Sequence, residues 1–388
     1  MTTDLTTARS LLTAAAVRER AHQMLALAEA GELAEWRVDL SRLEAAADLT
    51  AETVRANYPD LKVPFHARWR MFVAGGRDLW TEADKPSDPM ELGRVAFDLV
   101  IPSVLLDAGA GPTWRYADAA TGVTIGRSEG LGIASLRMFE AGAMSSDPDD
   151  PMKADALEQV TAAAVAEHFQ VRDDNPMVGL EGRAELLRSL GRAVGRPAAL
   201  FDIMVKHAEG GKLPAASILG VLLEALGPIW PGRLTLDGQP LGDCWKHPAV
   251  DGYVPLHKLS QWMSYSLIEP LQWAGIEVTD IDGLTGLAEY RNGGLFVDAG
   301  VLVLKDPADA GRVHAVDSAV VVGWRSLTVA VLDKLAPMVR ERLGVSAAEF
   351  PLARVLEGGS WAAGRRIAKQ LRSDGGPPIA VISDGTVF

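Results

Sequence analysis

Cysteine is almost absent from this chain. Cys244 is the only one among 388 residues. An intrachain disulfide is therefore excluded, and so is a metal site built from several thiolates. Long apolar runs are also missing. Nothing approaches the roughly 18 uninterrupted apolar residues that a membrane span requires. Residues 11–16 are apolar, but Arg18 and Arg20 interrupt them at once, so no signal peptide is expected. Basic runs are lacking too: the net charge is −13, with no stretch of five Lys or Arg. Such a chain repels nucleic acid. No internal repeat of fixed period and no low-complexity tract interrupt it. The expectation is a cytoplasmic protein with a small-molecule ligand, no nucleic-acid partner and no membrane partner. Its oligomeric state stays open.

What the chain has is helical patterning. It is 48% hydrophobic and 23% charged, enough to bury a large core. Apolar residues recur at helical spacing over 9–30, 41–57, 91–106, 131–141, 154–168, 180–194, 215–226, 256–273, 287–299 and 324–343. A small hairpin is expected from residues 114–116 and 123–125 around a turn ending in Gly122. Residues 234–236 and 301–304 are short strand candidates, and the tail from 377 to 388 is extended enough to add an edge strand. Helices and strands do not alternate, which argues against a doubly wound parallel sheet. The expected fold is mainly α: a single large helical domain over 1–388, with 1–75 as an N-terminal helical portion.

Several motifs are incomplete. Gly126-Arg127-Ser128-Glu129-Gly130 matches the G-x-S-x-G nucleophile elbow, but the elbow needs a parallel sheet that this pattern does not supply. Asp243, His247 and His257 are near in sequence, yet no HExxH spacing appears, so no metal is expected. There is no GxxxxGK[ST] loop. Gly130-x-Gly132 lacks the third glycine of a dinucleotide fingerprint, so no nucleotide cofactor is expected.

Three sites remain. In an extended conformation His66, Arg68 and Arg70 would share one face able to hold a phosphate. Arg365-Arg366 is a second anion candidate. The third, LTGLAEYRNGG (284–294), is densest. Thr285 could cap a helix carrying Glu289, Tyr290 and Arg291 near its first turn, where the dipole favours a carboxylate anion. Such an anion suits a cationic transition state, for example an oxocarbenium ion. The same spacing also fits a surface helix start with a Glu/Arg pair.

Longer stretches carry a resemblance. They are YPDLKVPFHARWRMF (58–72), WRYADAATGVTIGRSEGLGIAS (114–135), NPMVGLEGRAELL (175–187), PLHKLSQWMSYSLIEPLQWAGI (255–276), LTGLAEYRNGGLFVDAGVL (284–302), LEGGSWAAGRRIA (356–368) and SDGTVF (383–388). Through them the chain resembles, nearly end to end, the uracil-catabolism protein family of fungi and bacteria. That resemblance implies a route in which the uracil ring is opened while attached to ribose, and a ribosyl-urea species is then broken down with release of urea.

More distantly, the segment order looks like that of the queuosine-salvage N-glycosidases, helical proteins related in fold to DNA glycosylases. Their (F)ADYR(x)PQ segment resembles LAEYRNGG. The catalytically important carboxylate of that family matches Glu289, although glutamate replaces aspartate and Asn292-Gly293 departs from the pattern.

Together the two likenesses imply hydrolysis of an N-ribosidic bond, with Glu289 catalytic and Asp107, Trp114, Glu269, Tyr290 and Arg291 around the substrate. His66, Arg68, Arg70, Arg365 and Arg366 would take a phosphate. Glu269 and Asp107 are the candidate general acids for the leaving urea. The competing readings are a non-catalytic protein of the same pathway and a ureido amidohydrolase.

Overall fold

Hydroxyl caps decide where the first helices begin. The Thr13 side chain accepts the Ala16 amide at 3.0 Å and starts the Ala14–Glu29 helix, while Thr7 caps a separate turn, Ala8–Leu11. The single helix expected over 9–30 is thus two, because a capping side chain competes with the continuing ladder. The computed structural model describes residues 5–230 and 233–382. It is mainly helical, as the patterning predicted, and every ladder among the described residues has only two strands.

The described chain falls into two compact units. One draws on 5–66, 233–261 and 280–382; the other on 67–230 and 262–279. In the first, Ala319–Leu343 is the spine. Ser318 caps it, and Gly344, at φ +71°, ends it. Its side chains are buried all round from Val320 to Leu332, the mark of a core helix rather than a surface one. The Ala14–Glu29, Leu43–Asn57 and Tyr290–Asp298 helices pack on it. Trp36–Val38 pairs antiparallel with Leu302–Leu304, and the Trp36 indole donates to the Val320 carbonyl at 2.9 Å. The tail adds Ala380–Val381 as a parallel partner of Val313–His314. The SDGTVF stretch lies outside the described residues.

In the second unit Asp88 and Pro89 start the Pro89–Leu105 helix, which packs against Arg127–Glu140 and Ala198–His207. The expected hairpin forms as Tyr116–Asp118 with Val123–Ile125, and Lys212–Pro214 pairs in parallel with Glu277–Thr279. Trp69 meets Phe72 and Trp273 edge to face and Trp80 at a tilt.

Two local expectations fail, and one further helix went unread. Residues 154–161 are not helical apart from a 3-10 turn at Leu157–Gln159; the helix begins at Ala162, capped by Thr161. Ala198–His207 is a helix that the pattern did not reveal. The extended conformation that would align His66, Arg68 and Arg70 is not kept, because Arg68–Phe72 winds into a 3-10 helix.

Candidate functional site

The helix after LTGLAE begins three residues later than its sequence suggests, at Tyr290 rather than at 287. Glu289, not Thr285, is the N-cap of Tyr290–Asp298. Its Oε2 accepts the Arg291 amide at 2.7 Å and its Oε1 the Asn292 amide at 2.5 Å. Thr285 instead donates to the Gly286 carbonyl and takes Gln261 as partner for its amide. A carboxylate in a cap is ordinary. This one is 8% exposed. Burial pushes its pKa above the ordinary glutamate value, and the two amides and the charges of Lys258 and His66 offset that only in part. The helix dipole, which favours the Glu289 anion, is therefore outweighed by desolvation.

Two glycines let backbones meet here. A Cβ on Gly293 would lie 2.7 Å from Trp324 Nε1, and one on Gly364 would overlap the Arg291 carbonyl oxygen. Those absences let the Tyr290–Asp298 helix lie against both Ala319–Leu343 and Trp361–Leu371.

A buried ion pair fixes the surroundings. Arg325 grips Asp243 with both terminal nitrogens, at 2.8 and 2.7 Å, and its Nε donates to the Ala288 carbonyl at 3.2 Å. Asp243 Oδ2 also accepts the Lys258 amide at 2.8 Å. Burial raises the Asp243 carboxyl, but the Arg325 charge and these hydrogen bonds hold it well below the usual carboxylate range. One arginine thus ties the residue before Glu289 to the start of the Lys258–Trp273 helix.

The segment before Trp361–Leu371 is π-helical over Val355–Ser360. From it Glu357 Oε2 meets His66 Nδ1 at 2.6 Å. Ser360 donates to Asn292 Oδ1 at 2.7 Å. The Trp361 ring lies 5.6 Å from the His66 ring. So the first unit gathers Glu289, Lys258, His66 and Glu357 within one electrostatic neighbourhood.

The expected phosphate face does not assemble. His66 belongs to the first unit and is engaged by Glu357. In the second unit Arg68 is fully buried, paired with Asp107 and donating to Ser103 Oγ at 2.7 Å, and Arg70 pairs with Glu269 at 3.0 Å. The 3-10 turn is the reason: it rotates successive side chains apart where a strand would have aligned alternate ones. Arg366 is exposed beside Glu52, and Arg365 stacks on Trp361.

The remaining residues are placed as follows. Arg291 meets Glu289 through its backbone amide alone; its guanidinium donates to the Gly375 carbonyl at 2.7 Å and stacks on Tyr290. Trp114 is a core side chain with its indole bonded to the Phe169 carbonyl. Asp107 and Glu269, the candidate acids, are each engaged by an arginine. Ser128 donates to Asp107 at 3.1 Å, and the strained residue of that turn is Arg127, at φ +59°. The sheet beside it is only the two-stranded hairpin. Among the described residues no three metal-ligating side chains converge, and no helix is long and apolar enough to cross a membrane.

A family model described as "Protein of unknown function (DUF1688)" matches residues 10–388. The chain belongs to that family. It is 40% identical to "Protein urg3" of Schizosaccharomyces pombe, over 98% of this chain and 99% of that protein. It is 35% identical to "Uracil catabolism protein 4" of Lachancea kluyveri, over 96% and 97%.

In this DUF1688 chain, reading the sequence missed Lys258, whose charge acts on Glu289, and Glu357, which pairs with His66. No short motif signals them. The glycine pair of EYRNGG was a usable sign, since a glycine inside a helix costs stability unless something packs there. So was GGSW at 358–361, whose glycines lie in the π-helical turn.

Proposed function

We propose that the chain takes part in uracil catabolism by hydrolysing the N-ribosidic bond of a ring-opened uracil nucleoside or nucleotide of ribosyl-urea type, releasing urea. The observation that carries this reading is Glu289: a buried carboxyl, held by two backbone amides, with its pKa raised by burial. Cleaving an N-riboside builds positive charge on the sugar while water approaches C1′. A carboxylate beside that carbon stabilises the charge. With a raised pKa it is also a stronger base for the attacking water. The name of the Lachancea kluyveri relative supports the pathway, and the near-complete span of the match supports carrying it over.

Purified protein incubated with ribosyl-urea and with its 5-phosphate is expected to yield urea and the free sugar from at least one of them. Glu289→Gln should lower that rate at least about 100-fold, the usual range for a lost acid–base group. Ammonia and carbon dioxide without urea would identify attack on the ureido carbonyl instead. No product from either compound, with folded protein, would sink the hydrolase reading.

A further inference from the structure

Urea is a poor leaving group as an anion, so the reaction proposed above needs a proton donor as well as a base. Both candidates from the sequence are already engaged by an arginine. Asp107 is paired with Arg68, and Glu269 with Arg70. We propose that His66 is the general acid of this reaction and that Glu357 is the residue that positions it. This rests on the N-ribosidic reading and adds the group that reading lacks.

Geometry around His66 carries it. His66 is 4% exposed, so its imidazole is held away from bulk water. Its Nδ1 is bonded to Glu357 Oε2 at 2.6 Å. The His66 amide donates to the Ala353 carbonyl at 3.0 Å, which ties its backbone to the segment that supplies Glu357. That segment then turns π-helical, a rare geometry that is frequent at functional sites. From the same segment Ser360 reaches Asn292, whose amide binds Glu289. Histidine and Glu289 are thus held by one element, and the His66 charge is among those acting on Glu289. A carboxylate on one ring nitrogen fixes the imidazole so that the other nitrogen delivers the proton, the arrangement that orients histidine in hydrolytic triads.

The step balances. The C1′–N bond breaks, its electron pair goes to the urea nitrogen, and the His66 Nε2 proton goes to that nitrogen. Water adds to C1′, and its proton goes to the Glu289 carboxylate. Ribosyl-urea and water become ribose and urea. Proton exchange from Glu289 to His66 through solvent restores both groups.

The test compares two leaving groups: ribosyl-urea (or its 5-phosphate), and the matching 4-nitrophenyl riboside, whose nitrophenolate departs without a proton. His66→Gln should lower kcat on ribosyl-urea about 100- to 10,000-fold, with KM within a few-fold. Its loss on the nitrophenyl riboside should be less than about tenfold, and that retained activity also shows a folded site. Glu357→Gln should show the same selectivity, less strongly. Glu289→Gln should lose both substrates. Imidazole should partly restore His66→Gly on ribosyl-urea. Wild-type protein that cleaves both while His66→Gln loses them equally, or neither, overturns the His66 assignment alone. Wild-type protein that cleaves neither overturns the N-ribosidic reading and this assignment with it.

Discussion

Glu289 carries two opposing influences, and their order of size has a measurable consequence. Two amides and two nearby cations favour its anion; burial disfavours it and prevails. A base must be deprotonated to act. The acid limb of kcat/KM is therefore expected above the ordinary glutamate value, with activity falling as pH drops through the raised pKa. A pH–rate profile checks this, and a limb at or below about 4.3 would contradict it. The LAEYRNGG stretch made this residue legible, because its cap, aromatic, arginine and glycines lie within eight positions. The His66–Glu357 pair was not legible. Its partners stand 291 residues apart, and neither has a neighbour in sequence that signals the other. The basic HARWR stretch was misread for a related reason. Alternating charges suit a strand, but the carboxylates waiting at Asp107, Glu269 and Glu357 are not visible from the stretch itself.

Among the elements, helices with a sustained apolar period were read correctly, such as Leu180–Val194 and Ala215–Leu226, although neither has a side-chain N-cap. Those broken by a capping threonine were not. The Arg325–Asp243 pair holds the loop before Glu289 against the Lys258 helix. Removing one member of a buried pair leaves the other charge uncompensated. Arg325→Met is expected to cost about 3 kcal/mol or more of unfolding free energy, read from denaturant midpoints. A loss under about 1 kcal/mol would show that Trp245 and the Lys258 amide satisfy Asp243 without it.

Asp98, on the Pro89–Leu105 helix, behaves oppositely to Asp243. Burial raises it to about 6 from 3.8, although Arg196 and the Ala198 and Ala154 amides pull it down. A carboxyl with a raised folded pKa adds stability that is complete below the unfolded value and is lost as pH rises through the folded one. Stability from Asp98 should thus grow by roughly 3 kcal/mol on going from above pH 6 to below pH 4. Other carboxylates, Asp243 among them, oppose it over that window. Asp98→Asn should therefore steepen the overall loss of stability on acidification, which melting curves between pH 4 and 7 will report.

At the scale of the whole molecule, helical content was visible because hydrophobic period is a local property. The division into two units was not, since each draws on separated stretches of chain. A fragment 67–232 lacks Ser266, which accepts the Arg68 amide at 2.9 Å, and lacks Glu269 and the strand Glu277–Thr279. Expressed alone it should show no cooperative melt by circular dichroism. Joined through a short linker to 262–279 it should regain one, and a cooperative melt of the bare fragment would refute this. The pairing of Trp36–Val38 with Leu302–Leu304 also bears on biosynthesis. The first strand leaves the ribosome long before its partner exists, and His66 leaves long before Glu357. Until then Trp36 and the apolar faces of the early helices have nothing to cover them. Such pairings fold slowly and leave nascent surface open to aggregation. Production of active protein should consequently depend on chaperone supply and on growth temperature.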